Sequence, residues 1–87
     1  MKVSFIIPLY NCLPLTQAML ASLRETLPAG LAHELILVDD GSTDGTREWL
    51  RNLPAPCRPI LNEKNLGFAG ACNRGAAGAN GDLFFFL

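Results

Sequence analysis

Glu34-Leu35-Ile36-Leu37-Val38-Asp39-Asp40-Gly41-Ser42-Thr43-Asp44-Gly45 changes character abruptly at its midpoint. Up to Val38 it is almost continuously apolar and rich in branched residues, which reads as a strand over Glu34 to Asp39 buried on both faces. Asp39-Asp40-Gly41 ends that strand. The residues that follow are turn and cap chemistry, with Thr43 or Asp44 available as the N-cap of a short helix through Trp49, Leu50 and Leu53.

The same alternation extends in both directions. Val3 to Leu9 is another short apolar run, closed by Pro8 and by Tyr10-Asn11. Pro14 suits a helix's first turn, and Leu15, Met19, Leu23 and Leu27 follow at four-residue spacing as a core-facing stripe, stopped by Pro28 and Gly30. Pro54, Pro56 and Pro59 exclude helix beyond Leu53, leaving at most a short strand over Pro59 to Asn62. Five of the eight glycines lie between Leu66 and Asp82. A helix over Ala69 to Ala79 is expected all the same, its glycines marking close approach to a sheet, a loop or a ligand. Asp82 to Leu87 reads as a final strand, apolar on both faces and so expected in the middle of a sheet. Strand and helix alternate three times before it. The fold class is therefore α/β, three layers with a mostly parallel sheet and helices on both faces.

Composition narrows the functional classes. The chain has 87 residues, 49% of them hydrophobic and 17% charged, with a net charge of −1. Mean hydropathy is +0.24 and the isoelectric point about 5.6. Such a chain is too apolar for a disordered segment and lacks the basic footprint of a nucleic-acid binder. Cys12, Cys57 and Cys72 are odd in number and widely spaced, and His33 is the single histidine, so neither a disulfide framework nor a thiolate zinc site is expected. No stretch approaches the apolar length of a membrane span, and Pro8 interrupts the N-terminal run before it could serve as a signal peptide. A cytoplasmic chain is expected. Because Phe84-Phe85-Phe86-Leu87 calls for cover on each side, the 87 residues read as the front part of one larger domain.

Two phosphate-binding signatures are absent. The turn after the first strand, Pro8-Leu9-Tyr10-Asn11, has no glycine for a dinucleotide fingerprint. Gly70 and Gly75 have P-loop spacing, but Ala76-Ala77 follows where lysine and a hydroxyl residue are needed. What remains is an acidic pair at a strand's carboxyl end. Without a metal, two adjacent carboxylates repel phosphate and suit hydroxyls and ring N–H donors, hence ribose and base. Sequential strands usually pair, which would set Tyr10 beside Asp39-Asp40, with a flat ring to stack on the base.

Three blocks then resemble one family in the right order. Val3-Ser4-Phe5-Ile6-Ile7-Pro8-Leu9-Tyr10-Asn11 is similar to the opening strand of family 2 glycosyltransferases of the GT-A fold. Leu37-Val38-Asp39-Asp40-Gly41-Ser42-Thr43-Asp44-Gly45-Thr46 resembles their second-strand signature. Asn65-Leu66-Gly67-Phe68-Ala69-Gly70-Ala71-Cys72-Asn73-Arg74-Gly75 resembles their third block, particularly in rhamnosyltransferase-like members.

The resemblance implies inverting transfer of a sugar from a nucleoside diphosphate donor to an acceptor hydroxyl, in polysaccharide or cell-surface glycan synthesis. It sets Pro8 and Tyr10 against the nucleotide and makes Asp40 the acceptor of a pyrimidine N3–H. Uracil and thymine carry that donor and cytosine does not, so UDP- or dTDP-sugars fit. Asp39 is expected to support Asp40 or the ribose, and Gly67 and Asn73 to line the nucleotide side. Residues 1–87 then form the nucleotide-sugar-binding, Rossmann-like front of a glycosyltransferase domain. The family's D-x-D motif, which binds magnesium or manganese, follows its fourth strand. In this chain it would fall just beyond Leu87, together with the catalytic base and the site for a glycan or lipid-linked acceptor. Residues 1–87 therefore supply no catalytic and no metal-binding residue, and alone are expected to lack transferase activity. The whole protein would work in the cytoplasm or at the cytosolic face of a membrane.

Other readings account for parts of the pattern. A non-catalytic nucleotide-sugar-binding module would keep the same pocket. A receiver-like signalling domain also has an acidic pair, but on its first strand, and needs an aspartate where Pro59-Ile60-Leu61-Asn62 has none. Asp40 to Arg51 imitates half of a calcium loop, with Arg51 where a bidentate glutamate is required. Asp39-Asp40-Gly41-Ser42 could also be a helix-capping turn, and Arg74 a solvated side chain.

Overall fold

The computed structural model describes all residues, 1–87. In chain order its elements are β1 (Val3–Leu9), α1 (Leu13–Thr26), β2 (His33–Asp39), α2 (Thr46–Arg51), β3 (Cys57–Leu61), α3 (Gly67–Ala77) and β4 (Leu83–Phe86). The strands form one parallel sheet in the order β3-β2-β1-β4. The chain steps outward from β1 to β3 and then returns through α3 to the other side of β1. Such a reversal opens a crevice at the carboxyl ends of the strands.

The two-residue period of the strands divides the core between the two faces. Phe5, Ile7 and Leu9 join Leu35 and Leu37 beneath Leu20 of α1 and Leu50 of α2. Ile6 joins Ile36 and Val38 beneath Ala71 of α3. These are the three expected layers. Gly75 sits where α3 presses on the sheet: a Cβ there would lie 2.4 Å from Ile6 Cγ2 and 3.0 Å from Val38 Cγ2. The helix tolerates glycine because no larger residue fits against β1 and β2.

Several expectations change in the structure. Leu15 is 72% exposed and leaves the core stripe, while Met19, Leu23 and Leu27 pack onto the core. Four-residue spacing advances about 40° per step on a helix of 3.6 residues per turn, so three steps carry Leu15 off the face held by Leu27. Thr16 and Leu20 are buried instead. Helix α3 starts two residues earlier than expected and ends at Ala77.

Strand β3 begins at Cys57 and includes Pro59. It is an edge strand, and Asn62 donates to Asp39 O on the β2 side. The two-residue period then turns Pro59, which has no N–H, toward the unpaired side. β4 is the other edge rather than a central strand. Its residues are 44% to 58% exposed, because no strand pairs beyond it within residues 1–87.

A buried carboxylate ties the amino ends of the strands together. Glu34, at the start of β2, accepts hydrogen bonds from Ser4 Oγ and from the Asn80 N–H, each at 2.6 Å, and pairs with Arg58 of β3. Ser4 Oγ in turn accepts the Gly81 N–H at 2.8 Å, and Arg58 also donates to Gly78 O. Burial alone would raise the Glu34 pKa. The bonds from Ser4, Asn80 and Arg58, with the Arg58 charge, outweigh it and lower the pKa from 4.5 to about 2.

A group with a depressed folded-state pKa stabilises the fold above its unfolded value, and that stability is lost as pH falls toward the folded value. Glu34 should therefore contribute on the order of 3 kcal/mol near neutrality, fading between about pH 5 and pH 2. Urea unfolding at pH 7 and pH 3 checks this. The wild-type chain should lose about 2 kcal/mol more over that interval than Glu34→Gln does, and equal losses would contradict the assignment.

Candidate functional site

The site forms where the loop after β1 meets the loop after β2. Leu9 pairs with Asp39 in register, and the Asp40 N–H donates to Leu9 O at 2.8 Å. Tyr10 and Asp40 therefore leave the sheet side by side, as adjacent parallel strands require.

Reciprocal bonds zip the two loops together. The Asn11 N–H donates to Ser42 Oγ at 2.6 Å, and the Thr43 N–H returns to Asn11 Oδ1 at 2.8 Å. Asp44 joins two helix starts: its Oδ2 accepts the Leu13 N–H of α1, and its Oδ1 accepts the N–H and hydroxyl of Thr46 in α2. Asp44 thus does the expected capping work for α2, although Gly45 occupies the cap position. The Thr46 hydroxyl bond is the main reason its carboxyl titrates below the usual range, with the Leu13 and Thr46 N–H groups adding to it. Asn11 and Cys12 are both left-handed, at φ 53° and 56°. Asparagine tolerates that conformation better than most residues, and the Ser42 and Thr43 bonds hold it there.

Asp40 is 5% exposed, and its carboxylate fastens the turn into α3. Oδ1 accepts the Asn62 amide at 3.1 Å and the Leu66 N–H at 2.8 Å, and Oδ2 accepts the Gly67 N–H at 3.0 Å. Gly67 has φ 79°, which turns its N–H inward at the start of the helix. A carboxylate has about four acceptor positions, so one position on Oδ2 stays open. Asp40 lines a cavity of about 330 Å³ together with residues that include Pro8, Tyr10, Asn65, Gly67 and Phe68. That volume is at the small end of ligand sites. Tyr10 is 54% and Phe68 71% exposed, so two aromatic rings flank the mouth.

Four of the residues singled out from the sequence thus converge: Pro8, Tyr10, Asp40 and Gly67. Two do not line this cavity. Asp39 is fully buried, its Oδ2 bonded to the Ser42 N–H and to Arg47, both at 3.1 Å. Its position supports the turn that carries Asp40 and offers nothing to a ribose. Asn73 is exposed on α3, outside the cavity lining. Sequence reasoning missed Phe68, Asn65 and Asn62. The signal for Phe68 was available, because an aromatic directly after a helix-starting glycine, where a core stripe has not begun, is placed for contact rather than packing.

A larger hollow of about 420 Å³ lies between β1 and α1. Its polar groups are Ser22 and Thr26, with no carboxylate, so it cannot select a ring N–H. No group of three or more His, Cys, Asp or Glu side chains comes together to hold a metal ion. Asp39 is paired with Arg47 and Asp40 is nearly saturated by N–H donors, so residues 1–87 do not fit a divalent-cation site. No helix is long and apolar enough to cross a membrane.

If the Ser42 hydroxyl holds the loop, Ser42→Ala should lower stability by about 1–2 kcal/mol, read as a drop of several degrees in Tm. Thr43→Ala, at an exposed side chain, should change it by less than about 0.5 kcal/mol. Equal melting of the two variants would contradict the bond's role.

Comparison with known proteins bears on the family and the fold. The family model described as Glycosyl transferase family 2 matches residues 4–87. The chain is 37% identical, over its full length, to 25% of a dolichol-phosphate mannosyltransferase from Pyrococcus furiosus. It is 36% identical, over 97% of its length, to 21% of a validoxylamine A glucosyltransferase from Streptomyces hygroscopicus subsp. jinggangensis. TarS of S. aureus superposes on the whole chain with a TM-score of 0.83 at 28% identity, the chain covering 16% of it. The mannosyltransferase PcManGT from Pyrobaculum calidifontis, solved in complex with GDP-Man and Mn2+, superposes on 94% of the chain with a TM-score of 0.79 at 31% identity, 25% of that protein being covered. The chain thus spans a quarter or less of the length of these proteins. With the parallel sheet of a GT-A fold and a family match over nearly all its residues, the chain belongs to glycosyl transferase family 2.

Proposed function

We propose that residues 1–87 form the nucleotide-sugar-binding part of a glycosyltransferase domain, with the cavity between Tyr10, Asp40 and Phe68 receiving the nucleobase of the donor. The observation that carries this reading is an Asp40 carboxylate with three donors for about four acceptor positions, in the lining of a cavity it shares with the exposed Tyr10 ring. A buried carboxylate with one vacant lone pair suits one ring N–H and repels phosphate. Uracil and thymine present that N–H at N3, which supports UDP- or dTDP-sugar as the donor. The GDP-Man bound by PcManGT supports guanine as a second reading, since its ring N–H is a donor of the same kind.

In the whole protein the acceptor hydroxyl attacks the anomeric carbon as its bond to the diphosphate breaks, with inversion at that carbon. The tasks of residues 1–87 are to grip the base, exclude water from the Asp40 carboxylate and aim the diphosphate away from it. Magnesium or manganese, the catalytic base and the acceptor site are assigned to residues beyond Leu87, so residues 1–87 alone should not transfer sugar. The acceptor is a glycan or lipid-linked chain, met in the cytoplasm or at the cytosolic face of a membrane.

Calorimetry of UDP binding to the whole protein tests the site. Asp40→Ala and Tyr10→Ala should each weaken binding by roughly 1–3 kcal/mol. Tyr10→Ala should leave Tm nearly unchanged because its ring is half exposed, whereas Asp40→Ala should also lower it. Unchanged affinity in both variants would contradict the proposal.

A further inference from the structure

We propose that Asn62 is a positioning residue that sets which nucleobase edge Asp40 accepts. The inference rests on the nucleobase reading of Asp40 given above. Of the three donors on that carboxylate, the Leu66 and Gly67 N–H groups are backbone, and the Asn62 amide at 3.1 Å is the only side chain. Together with the Leu66 N–H it fills Oδ1. The plane of the carboxylate is thereby fixed, and the vacant position falls on Oδ2.

The surroundings of Asn62 are built for this contact. Its N–H donates to Asp39 O at 2.8 Å, and its carbonyl accepts from Arg47 at 2.6 Å. Arg47 also pairs with Asp39 at 3.1 Å, so one guanidinium joins the carboxyl ends of β2 and β3. The backbone of Asn62 is held on both sides, and the residue is 4% exposed. Its amide has one workable orientation toward Asp40, because turning it over would set Oδ1 against a carboxylate oxygen. In that orientation Oδ1 is buried without a hydrogen-bond partner. The residue forgoes one hydrogen bond to present a neutral donor to Asp40. An apolar residue would avoid the orphaned oxygen, and an aspartate would supply no donor.

The consequence concerns selectivity. With a neutral amide donor on Oδ1, Asp40 keeps an acceptor position that welcomes a ring N–H and rejects the bare N3 of cytosine. A carboxylate at position 62 would face Asp40 with a second acceptor. The pair must then share a proton or swing apart, and either outcome removes the open position on Oδ2.

The test measures the affinities of UDP and CDP for the whole protein and compares their ratio. The wild type should prefer UDP by about tenfold or more. Asn62→Asp should weaken UDP at least about tenfold while changing CDP little, bringing the ratio to within about twofold of one. If Asn62→Asp does not fold, Asn62→Ala, which loses the donor without adding charge, should reduce the ratio by at least about threefold. A merely structural role would weaken both nucleotides alike and leave the ratio intact, which would overturn the inference while sparing the site. A wild-type ratio near one would overturn the uracil reading of Asp40 on which the inference rests.

Discussion

The Asp40 carboxylate is the constraint on which the arrangement depends. It stands just past the carboxyl end of β2, nearly sealed from solvent, and an ionised group there must be surrounded by donors. The chain supplies them from one side-chain amide and two backbone N–H groups. Asn62 follows β3, Leu66 precedes α3, and Gly67 begins that helix in a left-handed conformation. Fixing one carboxylate therefore fixes the approach of α3 to the sheet, and with it the wall of the cavity that holds Gly67 and Phe68. In the function proposed above, the incomplete saturation of that carboxylate turns a structural anchor into a recognition group.

The sheet is polar at both ends for different reasons. At the amino ends, Glu34 is surrounded by Ser4, Arg58 and the Asn80 N–H, all part of the fold. This cluster leaves its carboxylate no open face. At the carboxyl ends, Asp39 Oδ2 is taken up by Arg47 and the Ser42 N–H while its Oδ1 is buried without a partner, and Asp40 beside it lines a cavity. Two carboxylates adjacent in sequence thus divide the labour, one bracing the turn and the other lining the cavity. Alternation along an extended chain sends neighbouring side chains to opposite sides, so the division follows from backbone geometry.

Much of the architecture was legible because its signals are local. Continuous apolar runs marked β1 and β2, the proline and glycine positions marked the breaks, and strand-helix alternation implied a parallel sheet. Leu15 was misread because spacing by fours looks helical over one turn but drifts around the axis over three. The extent of β3 was hidden by Pro59, whose missing N–H matters only on a paired edge. At the site, adjacency of β1 and β2 was enough to bring Tyr10 and Asp40 together. The donors that hold Asp40 lie 22 to 27 residues away, and nothing in the Asp39-Asp40 neighbourhood points to them. The placements of Asp39 and Asn73 were equally hidden, since both depend on how α2 and α3 settle against strand ends. Arg47 is a side chain on a helix whose register only packing determines.

The central claim is that a nucleobase ring N–H enters the vacant position on Asp40 Oδ2. It can be observed directly by recording the N3–H resonance of nitrogen-15-labelled UDP bound to the whole protein. The account predicts an imino signal that is shifted and protected from solvent exchange in the wild type and lost in Asp40→Asn. An N3–H that exchanges as freely as in free UDP, or that stays protected in the variant, would contradict it.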